Sequence, residues 1–301
     1  MTARGYVTAT AFKQALEQRL RSASRDGREF IRRRQRLVFE RFLARVAHAF
    51  GDSATLKGGL VLELRIERAR VTKDVDLRLT EGSEDVHVRL VEAGRLDLGD
   101  FMTFDIRPDA SHPRLQNEGM KEEGFRFRAE CKLAERLYGD AFGVDVAFGD
   151  PLLGEPDITV AEDVLGFAGI APPRVRLYPI ETHVAEKLHA YTLPRTRPNT
   201  RVKDLPDLAL LASVRVLDAA RVRAALVGTF SFRGTHALPM ATPAPPDSWL
   251  RPYADIVRED DLPWRTLADV TAAVRAFLDP VLAGKGDLLW EPGSWSWRAR
   301  P

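Results

Sequence analysis

The chain has 301 residues, 45% of them hydrophobic and 29% charged, enough apolar material for one large domain or two ordinary ones. That balance excludes a disordered chain, and no run approaches the roughly 20 uninterrupted apolar residues of a membrane helix. Cys131, the single cysteine, excludes an intramolecular disulfide and any multi-cysteine zinc or iron–sulfur site. With no apolar leader at the N-terminus, a cytoplasmic protein in a reducing compartment is expected. The net charge of +2 conceals an asymmetry: residues 1–50 hold twelve Arg/Lys against four Asp/Glu, a local +8, which leaves −6 for the rest. A basic arm on a mildly acidic body suits a protein that attracts phosphates with one part and holds cations with another.

The first 50 residues read as helix, with Ile31, Val38, Phe42, Val46 and Ala49 forming one apolar stripe. Arg32, Arg33, Arg34, Arg36, Arg41 and Arg45 interleave with it, either as a solvated face or as a phosphate-binding arm. The glycine-punctuated GDSATLKGG follows, then LVLELRI as a buried helical turn and Val75–Leu79 as a strand. Residues 84–96 read as helix. Phe101–Arg107, Phe125–Ala134 and Gly143–Phe148 alternate as strands. Residues 149–158 read as loop, with Asp150 before Pro151 as a turn residue. From about Pro179 the chain turns helical, most clearly over 181–192, 205–213, 218–227 and 266–283, with 236–249 a proline-rich connection. The expected organisation is a basic helical arm (1–50), an α/β core (51–165) and a mostly helical C-terminal region (166–301).

Five features carry chemistry. Gly58-Gly59 after Lys57 opens a helix, where backbone N–H groups can approach a phosphate. Asp74 and Asp76, two apart on a strand, share a face and can share a divalent cation. Taken singly, the first is also how a turn looks and the second how a solvated strand end looks. Asp145 lies in the apolar strand GVDVAF, where burial demands a partner: a cation shared with Asp74 and Asp76, an arginine, or water at a sheet edge. Lys187 falls on the apolar stripe of its helix with Ile180, Val184, Leu188 and Tyr191, while Glu186 and His189 fall outside it. It either snorkels to solvent or meets a buried anion, of which a triphosphate is the obvious one. In both cases its removal should not lower the stability of the nucleotide-free protein. His183 and His189 share no face, so they make no metal pair. Finally, Arg195, Arg197, Arg201 and Lys203 make a basic loop before Asp204, an N-cap candidate, and Asp207.

The order LKGG, RxTKDVD, VDVAFGD, AEKLHA, KDLPDL over roughly residues 30–215 resembles the AbiEii/AbiGii nucleotidyltransferase toxins, which are similar in their core to the polymerase-β superfamily. The resemblance implies an α+β fold with a mixed sheet. Gly59 and Asp74 are separated by fourteen residues, a longer gap than usual, and Gly59 stands where many superfamily members carry serine. By resemblance Lys187 matches the lysine of the A-E-K-L helix, and Asp204 and Asp207 match the acidic segment that follows. The implied activity is metal-dependent transfer of a nucleotide from NTP to an acceptor hydroxyl, the tRNA 3′ end above all. The implied setting is a bacterial toxin–antitoxin or phage-defence system with an antitoxin partner. In that scheme Asp74, Asp76 and Asp145 hold two Mg²⁺ or Mn²⁺ ions. Gly58, Gly59, Lys57 and Lys187 take the phosphates, and the basic arm or the loop after Tyr191 holds the acceptor. A protein or small-molecule acceptor, and a module that binds nucleotide or partner without catalysis, are the alternatives.

Overall fold

The structure, a computed structural model, describes residues 5–66, 72–80, 82, 84–115, 124–149 and 151–300. The turn expected at Asp150 and the arginine of the RxTKDVD segment lie outside the described residues. The N-terminal segment forms two helices, α1 (Ala9–Ser22) and α2 (Gly27–Phe50), separated by a break at which Asp26 caps α2 by accepting from the Glu29 N–H. Phe12, Leu16 and Leu20 form the buried stripe of α1, and Val38, Phe42 and Val46 that of α2, whereas Ile31 is 50% exposed.

The arginines of α2 depart from both expectations. Arg41 and Arg45 are buried on Asp100, itself fully enclosed, at 2.6 Å and 2.7 Å. Arg33 pairs with Glu29 and Glu162, and Arg36 with Glu40. Much of the charge of this segment is therefore spent on internal pairs, and Arg41 and Arg45 cannot reach a phosphate backbone.

The chain continues as β1 (Ala54–Lys57), α3 (Gly59–Arg65), β2 (Asp74–Leu79), α4 (Val86–Gly94), β3 (Met102–Pro108), β4 (Arg114–Leu115), β5 (Gly124–Leu133), β6 (Arg136–Leu137), β7 (Phe142–Phe148), β8 (Asp157–Val160) and β9 (Arg174–Leu177). The strands lie in the order β3-β5-β7-β2-β1-β9-β8, with β4 and β6 paired to β5. The sheet is mixed: β2 runs parallel to β7 and β1 to β9, and the other pairs are antiparallel. Val75, Leu77, Val144, Val146 and Phe127 point to one face and pack with α1 and α2 into a single core. The alternation that buries them sends Asp74, Asp76, Asp145 and Arg126 to the other face. The expected mixed α/β fold is present. Strands β8 and β9 extend the sheet at one edge, where local pattern predicts only loop and unassigned chain.

The second half contains α5 (Ile180–Thr192), α6 (Asp204–Ala212), β10 (Leu217–Asp218), α7 (Ala219–Arg233), α8 (Leu250–Asp260), α9 (Leu267–Leu282), β11 (Leu288–Glu291) and β12 (Ser296–Ala299). It has its own core, built on Leu188, Leu205, Leu208, Val274, Phe277 and Trp290, which Leu62 of α3 joins. Helix α8 and the terminal hairpin, stacked through Trp290 and Trp297 on Phe277, have no counterpart among the elements expected from the sequence. Among the described residues no helix is long and apolar enough to cross a membrane.

Candidate active site

A cleft of about 810 Å³ lies where the polar face of the sheet meets α5 and α6. It is lined by Lys57, Gly58, Gly59, Asp74, Asp76, Asp145, Lys187 and Asp204 together. Asp207 stands behind them, 2.7 Å from the Lys187 ammonium. Register explains the convergence. Lys57 pairs with Asp76 across β1 and β2, Asp76 with Asp145 across β2 and β7, and Asp145 with Arg126 across β7 and β5. In-register partners share a face. One row across four strands therefore reads Lys57, Asp76, Asp145, Arg126, with the charges in the order plus, minus, minus, plus.

Two glycines make room for the carboxylates. A Cβ at Gly58 would lie 1.8 Å from Asp76 Oδ2, and Gly58 has φ +71°, a conformation that suits glycine. A Cβ at Gly143 would lie 2.6 Å from Asp74 Oδ1. Neither Asp74 nor Asp76 accepts a hydrogen bond from a described residue. Burial first, and then the charges of Asp145 and Asp74, push the Asp76 carboxyl up to about 6, with Lys57 and Lys187 pulling against them.

Asp145 is engaged differently. Both its oxygens are taken by Arg126, Nε at 2.7 Å and Nη2 at 2.6 Å. Of the partners that an aspartate in this strand could have, the structure supplies the arginine. Among the described residues no group of three or more His, Cys, Asp or Glu side chains is gathered closely enough to hold a metal. Of the three aspartates, Asp74 and Asp76 are the ones left open by the described residues.

Lys187 does meet a buried anion, but one supplied by the chain itself. Its ammonium lies 2.9 Å from Asp204 and 2.7 Å from Asp207. Burial works against the ammonium charge, yet these two carboxylates outweigh it and hold the pKa above the ordinary lysine value. Asp204 is the first residue of α6, with Lys203 at the cap position, so its side chain serves Lys187 instead of capping the helix. Two of the three ammonium N–H bonds are spent here, and the third is left for the cleft.

Three residues at the cleft, Glu186, His183 and His189, were given no role in the site by the sequence. Glu186 Oε1 accepts from Tyr178 Oη at 3.0 Å, from Arg233 at 3.2 Å and from Lys57 at 3.4 Å, gathering two cations at the wall. His189, placed outside the apolar stripe, is 1% exposed and hydrogen-bonds Thr235. His183 is enclosed, and neither ring nitrogen has a hydrogen-bond partner among the described residues. Burial, helped by Lys187, lowers its pKa to about 3, so it is a neutral imidazole at physiological pH. From the loop after α5, Arg195, Arg201 and Lys203 line the same cleft.

A sequence profile described as nucleotidyl transferase AbiEii toxin, type IV toxin–antitoxin system, matches residues 41–290. The chain belongs to the AbiEii toxin family. As an AbiEii toxin it is a nucleotidyltransferase, and the family implies an antitoxin partner. Among solved structures it is similar to MenT4, a nucleotidyltransferase toxin from Mycobacterium tuberculosis H37Rv. The two share 16% sequence identity with a TM-score of 0.59, over 96% of this chain and 93% of MenT4. At that identity the likeness is one of fold. JHP933 from Helicobacter pylori matches with a TM-score of 0.43 and 15% identity, over 81% of this chain and 92% of JHP933. No curated protein sequence matches the chain.

Proposed function

We propose that this AbiEii toxin transfers a nucleotide from an NTP to a hydroxyl at the 3′ end of tRNA, with Mg²⁺ or Mn²⁺ as cofactor. The observation that carries the reading is the pair of open carboxylates, Asp74 and Asp76. They lie against the backbone at Gly143 and Gly58 and share one cleft with Lys57 and Lys187. Hard carboxylate oxygens with no hydrogen-bond donor on them among the described residues fit a small divalent cation that also binds phosphate oxygens. Such a cation supplies charge for the polyphosphate and for the group in transit.

The chain's own groups do the rest. Backbone N–H groups of Gly58 and Gly59, at the start of α3, take terminal phosphate oxygens. Lys57 and the third N–H of Lys187 neutralise charge on the departing pyrophosphate. Asp204 and Asp207 keep Lys187 charged and aimed. Arg195, Arg201 and Lys203 add positive potential on the same side. The acceptor oxygen attacks the α-phosphorus as the bond to the bridging oxygen breaks, and pyrophosphate leaves. Asp145, beside Asp76 and away from Lys57, accepts the hydroxyl proton through lone pairs that Arg126 leaves open.

Expression without antitoxin tests the biological half of this reading. Wild-type protein should slow bacterial growth and leave tRNA lengthened at its 3′ end, and Asp76→Ala should do neither. Slowed growth with unaltered tRNA would redirect the acceptor to a protein or a small molecule.

A further inference from the structure

In-line transfer needs the attacking hydroxyl opposite the departing pyrophosphate. On the reading above, the groups that hold pyrophosphate are Lys57, Gly58, Gly59 and Lys187, at the β1 and α5 end of the charged row. The acceptor must then arrive from the other end, where β7 gives way to β5 and β3. There the polar face of the sheet is open. Thr103, Asp105 and Arg107 on β3 are exposed, as is Arg128 on β5, while the opposite face packs into the first core.

Arg126 and Arg128 stand two apart on β5 and so share that open face. Arg126 is 40% exposed at its side chain and is fixed by its two hydrogen bonds to Asp145. A guanidinium has five N–H donors, so three remain, and no described residue accepts them. Arg128, one step further from the row, is exposed and has no ion-pair partner among the described residues. Arg107 lies opposite Arg128 in register on β3, paired among the described residues to Glu130 at the surface. A line of guanidinium groups thus leads from open solvent to Asp145.

We propose that this face of β5, carrying Arg126 and Arg128, is the track along which a single-stranded RNA 3′ end enters the site. Arg126 takes the last phosphodiester, and Asp145 is its positioning residue. Arg128 and Arg107 take phosphates further back. Single-stranded RNA is the occupant that the surface fits: it brings a regular line of negative charge and a terminal hydroxyl, and the track ends at the carboxylates. The loop after α5, on the opposite side, then serves the nucleotide. This inference rests on the RNA acceptor proposed above.

The test uses the full-length protein and two titrations: a fluorescent single-stranded RNA with a free 3′ hydroxyl, and a non-hydrolysable NTP analogue with Mn²⁺. Arg128→Glu should weaken RNA binding roughly tenfold or more while leaving analogue binding within about twofold. Arg128→Gln, a milder change, should lower the salt slope of RNA binding by about 0.7 for each phosphate that is no longer neutralised. Arg201→Gln and Lys203→Gln should show the reverse pattern, weakening the analogue more than the RNA. RNA affinity unchanged in both Arg128 variants, and abolished in the loop variants, would overturn the track while leaving the RNA acceptor standing. Wild-type protein that binds the analogue but no RNA would overturn the RNA acceptor, and the track with it.

Discussion

Asp76 and Asp145 stand opposite each other in register on the parallel strands β2 and β7, and they are held in opposite ways. Asp145 has a guanidinium on both oxygens, whereas Asp76 faces the cleft against the Gly58 backbone with no donor from a described residue. Two like charges on neighbouring strands are costly, and the row relieves them with Lys57 at one end and Arg126 at the other.

That arrangement makes the protein sensitive to pH. The Asp76 carboxyl, at about 6, holds its proton more tightly in the folded than in the unfolded chain. Its contribution is therefore fully present below the ordinary carboxylate pKa and is lost as pH rises through about 6, a cost of no more than about 3 kcal/mol at neutral pH. Asp76→Asn should melt higher than wild type at pH 7.5 in EDTA, and the gap should close as pH falls toward 4.5. A gap independent of pH would contradict the assignment. Mn²⁺ affinity of wild type should rise as pH passes through the same range.

Gly58→Ala should disable the site at its narrowest point. The new Cβ would fall within the Asp76 carboxylate, and φ +71° strains any residue but glycine. Mn²⁺ affinity should drop about tenfold or more as Asp76 turns away. The double variant with Asp76→Ala removes the two closest contacts, leaving the Cβ of residue 76 at 2.9 Å, and should melt higher than Gly58→Ala alone, without regaining the cation.

For Lys187 the structure reverses the stability expected from sequence. Removing its charge takes the ammonium away from two buried carboxylates, Asp204 and Asp207, 2% and 0% exposed, with Arg201 standing at a longer 3.7 Å from Asp204. Lys187→Met should cost about 3–5 kcal/mol in nucleotide-free protein. Adding Asp204→Asn and Asp207→Asn should return much of that loss, read as melting temperature at pH 7. A melting temperature equal to wild type in Lys187→Met would show the cluster to be dispensable.

Arg45 and Asp100 are both fully buried, and Arg45 bonds both Asp100 oxygens at 2.7–2.9 Å. Asp100→Asn should therefore lower stability by several kcal/mol, roughly 3–5 by analogy with other buried pairs. RNA affinity of the folded fraction should stay the same, because these arginines never reach solvent. Loss of RNA affinity with stability intact would return the N-terminal arginines to the binding surface.

What could be read from the sequence was what local period encodes. Alternation found β3, β5 and β7 and the shared face of Asp74 and Asp76, and the helical period found Lys187 on a buried stripe. Partners set by tertiary register were out of reach. Nothing local pairs Arg126 with Asp145, because register between strands joined by a turn and a crossing chain is settled by the whole sheet. Asp207 lies twenty residues from Lys187, and Asp100 fifty-nine from Arg41, so the arginine-rich helix looked solvated. Helix α8 was hidden by Pro252 in its first turn, a position where proline does not break a helix. The terminal hairpin was hidden because its tryptophans alternate only over four-residue strands.

On the proposed reading, a cation held by Asp74 and Asp76 serves nucleotide transfer to RNA. The most direct measurement incubates the protein with total tRNA, Mg²⁺ and each α-³²P-labelled NTP in turn, followed by digestion to locate the label. Wild type should place label at the tRNA 3′ terminus and release pyrophosphate, with one or two NTPs preferred, and Asp76→Asn should place none at equal soluble concentration. Labelling by Asp76→Asn equal to wild type, or NTP binding by wild type with no label on any RNA, would contradict the account.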